Sequence, residues 1–152
     1  MQRSTMMRKM IPIILFNLAS AFLFAQQRDT SFDDYWAKFR NAVIARDYTS
    51  LESMTRFPLL VKGTHDFDKV KKFTQNRFVY IFEHYLKQVN TTVTGSALQD
   101  IIETEMIPAS NYNSNNLTYI HFSDMKFRKR KGRWKLYLIY IETTYQEANN
   151  IR

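Results

Sequence analysis

The sequence contains no cysteine, and its 152 residues include only three glycines and three prolines. Without cysteine the chain can form neither a disulfide nor a cysteine-linked lipid anchor, and it lacks the thiolate ligands of many zinc sites. The scarcity of glycine and proline argues against a disordered or low-complexity chain. Because His, Asp and Glu residues form no closely spaced ligand set either, we predict no metal site and no cofactor.

Acidic residues are also missing from the start of the chain, where none occurs before Asp29. Arg3, Arg8 and Lys9 supply positive charge there, and a mostly apolar run follows from Ile11 to Phe24. A basic start followed by an apolar run is typical of a secretory signal.

A small residue, Ala25, ends the apolar run where a signal peptidase would cut. We therefore predict a signal peptide over residues 1–25 and a single exported domain, periplasmic or secreted, over residues 26–152. An uncleaved membrane anchor is the alternative, but the run is shorter than the ~20 apolar residues that span a bilayer. No transmembrane span is predicted in the mature chain.

Apolar residues at helical spacing predict helices over residues 32–45, 48–54, 75–87 and 97–105. Ser31 and Thr74 precede two of these segments and are the predicted N-caps. Residues 108–116 are rich in Asn and Ser and predict a loop.

Alternation of apolar and polar residues predicts two long strands over residues 117–129 and 133–145. A shorter strand over 57–61 contains Pro58, which is typical of a sheet edge. A two-residue turn at Lys131-Gly132 would set Arg130 opposite Arg133 and His121 opposite Glu142. It would place two groups of residues on the core-facing side. The apolar group comprises Met125, Phe127, Trp134, Leu136 and Leu138. The polar group comprises Tyr119, His121, Ser123, Tyr140 and Glu142.

Two stretches resemble the nuclear-transport-factor-2-like superfamily. The first comprises Phe39-Arg40-Asn41-Ala42-Val43, Arg46-Asp47, Leu51 and Arg56-Phe57-Pro58-Leu59, and the second runs from Phe127 to Gly132-Arg133-Trp134-Lys135-Leu136. The resemblance implies an α+β fold in which N-terminal helices wrap one face of a curved antiparallel sheet, forming a cone that often encloses a pocket. Members include isomerases, dehydratases and non-catalytic binding domains, so the fold does not select an activity.

The predicted pairing of His121 with Glu142 is the sharpest catalytic hypothesis. A neighbouring carboxylate favours the imidazolium and fixes its tautomer, as general acid–base catalysis requires, and Tyr119 and Tyr140 could donate hydrogen bonds to a substrate. An ordinary cross-strand ion pair is the alternative interpretation. No nucleophile, metal set or oxyanion donor accompanies the pair, and we lean towards a protein that is not an enzyme.

The final hairpin carries a dense run of cations. Lys126, Arg128, Arg130 and Arg133 are the candidate anion-binding residues, suited to anionic lipid head groups, polyanionic glycans or an acidic protein. A solvated turn that keeps the sheet end soluble is the alternative. Nucleic acid is disfavoured by the predicted export, and no nucleic-acid-binding motif is present.

Aromatic side chains on the predicted helices and the last strand could line an interior pocket, although such stripes also form ordinary cores. The candidate ligand-binding residues are Tyr35, Trp36, Phe39, Phe78, Phe82 and Trp134. The sequence thus favours an exported, non-catalytic binding or accessory domain that holds a small apolar molecule or a protein partner. Its alternatives are an isomerase- or dehydratase-like enzyme, and binding to an anionic surface. An exposed apolar patch at Phe122, Ile139 and Ile141 would allow a homodimer through the sheet.

Overall fold

The computed structural model describes residues 29–89, 95–112, 118–148 and 150–151. The predicted signal over residues 1–25 and residues 113–116 of the predicted loop lie outside this part of the chain. The α-helices are α1 (Thr30–Ala45), α2 (Tyr48–Ser53), α3 (Phe78–Lys87), α4 (Ala97–Glu103) and α5 (Thr143–Ala148). The strands are β1 (Thr55–Lys62), β2 (Lys71–Phe73), β3 (Tyr119–Phe122), β4 (Met125–Arg130) and β5 (Arg133–Tyr140), and 3₁₀ turns occupy Gln75–Arg77 and Ala109–Asn111.

The fold is α+β, as predicted, but its five-stranded sheet is mixed and not wholly antiparallel. The strand order is β2-β1-β5-β4-β3, in which β1 runs parallel to β5 and the other neighbours are antiparallel. The prediction of an edge strand around Pro58 was wrong, because β1 lies between β2 and β5. The register of β1 against β5 shifts between Thr55 and Leu60, and this irregularity accommodates a residue that lacks a backbone N–H.

The N-cap of helix α1 lies two residues before the predicted one. Asp29, and not Ser31, is the N-cap, and its carboxylate accepts a hydrogen bond from the Ser31 backbone N–H at 3.0 Å. The first helical turn is therefore satisfied by a side chain from outside the helix. Thr74 precedes the 3₁₀ turn that leads into α3, but its side chain makes no capping hydrogen bond.

The predicted long strand over 117–129 is in fact two strands. It reverses at Ser123-Asp124, where Ser123 has a left-handed φ of 48°, so β3 pairs with β4 and His121 lies opposite Lys126. The second predicted strand is also shorter than expected, because β5 ends at Tyr140 and α5 follows.

The predicted hairpin register is confirmed near the turn. Arg130 faces Arg133, Lys129 faces Trp134 and Phe127 faces Leu136, but the register then shifts by one residue, so Met125 faces Ile139. A shift of this kind reverses the alternation of the strand beyond it.

The hydrophobic core lies between α1, α3 and one face of the sheet. The predicted apolar face is confirmed for Met125, Phe127, Trp134 and Leu136, which belong to the buried core. Leu138 is also buried, but it lies outside this core cluster, opposite Lys126. The rings of Phe32 in α1 and Phe127 in β4 lie 5.4 Å apart, and those of Phe57 in β1 and Phe78 in α3 lie 5.7 Å apart. We call this buried side the inner face of the sheet and the opposite side the outer face.

Candidate functional site

The six aromatic residues proposed to line an interior pocket lie in the packed core. Trp36, Phe39, Phe78 and Phe82 are at most 1% exposed. The ring of Phe39 lies 5.9 Å from that of Trp36 and 6.1 Å from that of Phe82, while Phe78 stacks on Phe82 at 5.2 Å. These rings pack against one another, as in an ordinary protein core.

The polar atoms of the remaining pocket candidates are also engaged by the protein. The Tyr35 hydroxyl donates to the Met54 carbonyl oxygen and accepts from the Leu136 N–H, both at 3.0 Å. Trp134 Nε1 donates to Ser31 Oγ at 3.1 Å. Burial raises the pKa of Tyr35, so this hydroxyl stays neutral at any physiological pH.

The predicted pairing of His121 with Glu142 is not formed, because β3 reverses before it could reach β5. His121 lies on the outer face, and its ring centroid is 6.2 Å from that of Tyr140. Glu142 lies beyond the end of β5, where its backbone N–H donates to Gln88 Oε1 at 2.9 Å and its carboxylate accepts from the Thr144 hydroxyl. The structure therefore brings His121 and Tyr140 together, but on the side of the sheet opposite to the predicted one.

His121 lies where its neutral form is favoured. Its pKa is lowered below the usual value, first by partial burial and then by the nearby Lys126 ammonium, against weaker opposing effects of Ser123 and Asp124. A neutral imidazole carries one donor and one acceptor, so it can hydrogen-bond hydroxyl groups in both directions.

The cations of the final hairpin are concentrated on the outer face. Arg130 lies directly opposite Arg133, and Arg128 lies directly opposite Lys135. Like charges at directly opposed positions of a sheet repel each other. The ion pairs within the described residues lie elsewhere: Arg46–Glu83, Lys87–Glu83 and Lys129–Asp29.

Lys129 is the exception among these cations, because it points to the inner face. Its ammonium lies 2.7 Å from the Asp29 carboxylate and 2.8 Å from Ser31 Oγ, and it sits over the Trp134 ring. It fastens the hairpin to the start of α1 and is not available to a ligand.

Tyrosine rings alternate with the cations on the outer face. The Arg128 guanidinium lies 4.7 Å from the Tyr119 ring centroid, and the Lys126 ammonium lies 5.0 Å from that of Tyr140. Tyr137 stands between them, with its ring 6.2 Å from that of Tyr119. Cation–π contacts of this kind orient long, flexible cationic side chains.

Two cavities adjoin each other on the outer face. The first, which we call the basic cavity, has a volume of about 690 Å³ and is lined mainly by cations: Arg56, Arg128, Arg130, Lys131, Arg133 and Lys135, with Thr118 and Tyr137. Lys129 also borders it, but its ammonium is bound to Asp29 on the other face. The second, which we call the polar cavity, has a volume of about 520 Å³ and is lined by Ser110, Asn111, Tyr112, Tyr119, Ile120, His121, Lys126 and Tyr137. Tyr137 lines both, so the two cavities are direct neighbours.

The residues offered as a dimer-forming patch are not exposed. Phe122, Ile139 and Ile141 are buried in the core, because the reversal at Ser123-Asp124 and the register shift turn them inward. That route to a homodimer is therefore excluded.

A polar cluster that sequence reasoning missed lies at the β3–β4 turn. The Ser123 hydroxyl donates to the Asp100 carboxylate at 3.1 Å, and Gln88 Nε2 lies 3.3 Å from Asp124 Oδ2. Burial raises the pKa of Asp124, and the Asp100 charge acts in the same direction. Only the turn brings these residues together, so no local spacing in the sequence could have revealed them. Within the described part of the chain, no three His, Asp or Glu residues are grouped so that they could hold a metal ion.

Comparison of this chain with protein-family models, with curated proteins and with solved structures finds no match. Among the described residues, no helix combines the length and apolarity needed to cross a membrane.

Proposed function

We propose that this protein is a non-catalytic binding domain whose outer sheet face holds a polyanionic partner. The proposal rests on one observation, the opposition of Arg130 to Arg133 and of Arg128 to Lys135 across neighbouring strands. Such an arrangement costs stability when the face is empty, and it is relieved when an anion lies between the cations.

Burial strengthens this effect at Lys135. Its pKa is lowered first by partial burial and then by the charge of Arg133, so the ammonium already feels an unfavourable positive environment. The Lys135 ammonium donates to the Ser53 carbonyl oxygen, and an anion beside it would offset the repulsion from Arg133.

We prefer this function to binding of a small apolar molecule inside the domain. The rings of the interior candidates Trp36, Phe39 and Phe82 pack against one another and fill the space between the helices and the sheet. An enzyme built on His121 and Glu142 is also less well supported, because the two residues lie on different parts of the fold. Export by a signal over residues 1–25 remains a prediction, and an exported domain would meet glycans and lipid head groups more often than nucleic acid.

The test is titration of the domain with polyphosphate at several salt concentrations, followed by fluorescence or calorimetry. We expect binding that weakens steeply with salt, and the slope should fall by roughly 0.7 for each cation removed. The variant Arg128→Gln/Arg133→Gln removes two cations of the basic cavity. Lys38→Gln/Lys69→Gln removes two exposed cations outside it and is the matched control.

The control should bind like the unmodified protein, and the Arg128→Gln/Arg133→Gln variant should bind more weakly with a shallower salt slope. Equal binding by both double variants would mean that net charge, and not the outer face, attracts the anion. Absence of any binding by the unmodified protein would contradict the proposal outright.

A further inference from the structure

The polar cavity differs in chemistry from the basic cavity beside it. Ser110, Asn111 and His121 contribute a hydroxyl, an amide and an imidazole, and Lys126 is its one lining cation. Its volume falls within the range of cavities that hold small organic groups. A polyanion held only by its charges would make no use of such a lining.

Asn111 is held in place but not saturated. Its Nδ2 donates to the His121 carbonyl oxygen at 2.7 Å, which fixes the amide beside β3, and its Oδ1 accepts from Ser110 Oγ at 3.4 Å. A primary amide has two hydrogens and two lone pairs. In these contacts one donor and one acceptor position of Asn111 are unused. The His121 ring, which also hydrogen-bonds the Ser123 backbone, adds its second nitrogen.

We propose that the polar cavity is a saccharide subsite, which takes a hydroxyl-rich sugar ring of an acidic polysaccharide while the basic cavity holds the carboxylates or sulfates of neighbouring units. This inference rests on the proposed function, since it supplies the polymer whose charges lie in the basic cavity. Amide, hydroxyl and imidazole groups can each hydrogen-bond a sugar hydroxyl, and Tyr119 and Tyr137 offer ring edges and hydroxyls beside them.

The tyrosine rings favour a saccharide over a single-stranded nucleic acid. Nucleic acid bases need open ring faces for stacking, but Arg128 already lies over the ring of Tyr119, which lines the polar cavity. A lipid surface is disfavoured because the most exposed large apolar side chains of the described residues, Phe67, Val89 and Met106, do not line either cavity.

The experiment compares two probes of equal charge, an oligogalacturonate of about six units and a linear polyphosphate of matched charge. Three proteins are titrated at fixed salt and pH: the full domain, Asn111→Ala and His121→Ala. We expect each substitution to weaken oligogalacturonate binding about fivefold, as expected for the loss of one or two hydrogen bonds, and to leave polyphosphate binding unchanged within about twofold. Two variants are used because Asn111→Ala also removes a contact to β3, and thermal melts of both report whether the domain is still folded.

Each of the following outcomes would overturn the inference. Equal losses for both probes would mean that the residues act on the fold, and no loss for either would mean that the cavity is not used. Tighter binding of an oligodeoxythymidylate of equal charge would identify the partner class as nucleic acid. If polyphosphate binds and oligogalacturonate binds no better, only the saccharide subsite fails; if neither binds, the proposed function fails as well.

Discussion

The substitution Phe39→Ala separates a packed core from a ligand pocket. Sequence reasoning offered Phe39 as a ligand contact, whereas the structure surrounds it with the rings of Tyr35, Trp36, Phe82 and Phe127 at centroid distances of 5.9, 5.9, 6.1 and 5.5 Å. A side chain that lines a pocket can be truncated at little cost, because the space beside it is already empty. A core side chain cannot.

The expected loss follows from these contacts. Phe39 is 0% exposed, so its truncation to alanine loses the free energy gained by burying a whole phenyl ring. It also leaves a cavity among rigid rings. Burial of such a side chain is worth about 1.5–3 kcal/mol, and each aromatic pair adds about 0.5–1.5 kcal/mol in favourable geometry. Because neighbouring rings relax only in part, we expect the free energy of unfolding to fall by about 3–5 kcal/mol.

Urea unfolding followed by tryptophan fluorescence and circular dichroism measures this loss. Phe67→Ala is the matched control, since Phe67 is 83% exposed and its removal should change the free energy of unfolding by no more than about 0.5 kcal/mol. A loss below about 1 kcal/mol for Phe39→Ala would refute the packed-core interpretation and restore the interior pocket as a ligand site.

Two further predictions concern the pH dependence of stability. Burial alone would raise the pKa of Asp29, but hydrogen bonds from Lys129 and Ser31 outweigh it and hold the pKa below its usual value, so the stabilisation is present above about pH 4 and is lost as the pH falls. Lys129→Met should therefore cost about 1 kcal/mol at pH 7 and less at pH 3 in urea unfolding; an equal cost at both values would mean that packing, not charge, is lost. Burial raises the pKa of Asp124, so the folded state retains its proton to higher pH than the unfolded state, and stability falls as the pH rises through that interval. Asp124→Asn should accordingly raise the urea midpoint at pH 7 and have little effect below pH 4, and a lowered midpoint at pH 7 would contradict this reasoning.

Elements with a strong local pattern could be predicted from the sequence. Helix α3 buries Phe78, Ile81, Phe82 and Tyr85, the stripe that its spacing indicates. The register next to Lys131-Gly132 is also as predicted, because one-residue slippage would move every apolar side chain of the hairpin to the wrong face.

The reversal at Ser123-Asp124 could not be predicted in the same way. It contains neither glycine nor proline. The adjacent polar pair Ser123-Asp124 interrupts the alternation of apolar and polar residues by one position, but a bulge in one long strand would interrupt it in the same way. The left-handed φ of Ser123 is energetically unfavourable for a residue other than glycine, and the sequence does not indicate that the chain adopts it there. The error had a large effect on the candidate site, since it decided whether His121 faces β5 or Lys126.

The cation run shows how one pattern can serve two purposes. In the sequence Lys126, Arg128, Lys129 and Arg130 form a single charged segment, but a strand sends neighbouring side chains to opposite faces. Lys129 therefore fastens the hairpin to Asp29, while the other three join the outer face. Removing Lys129 should weaken the fold and removing the others should weaken binding, so the face on which each cation lies, and not the density of charge, determines its role.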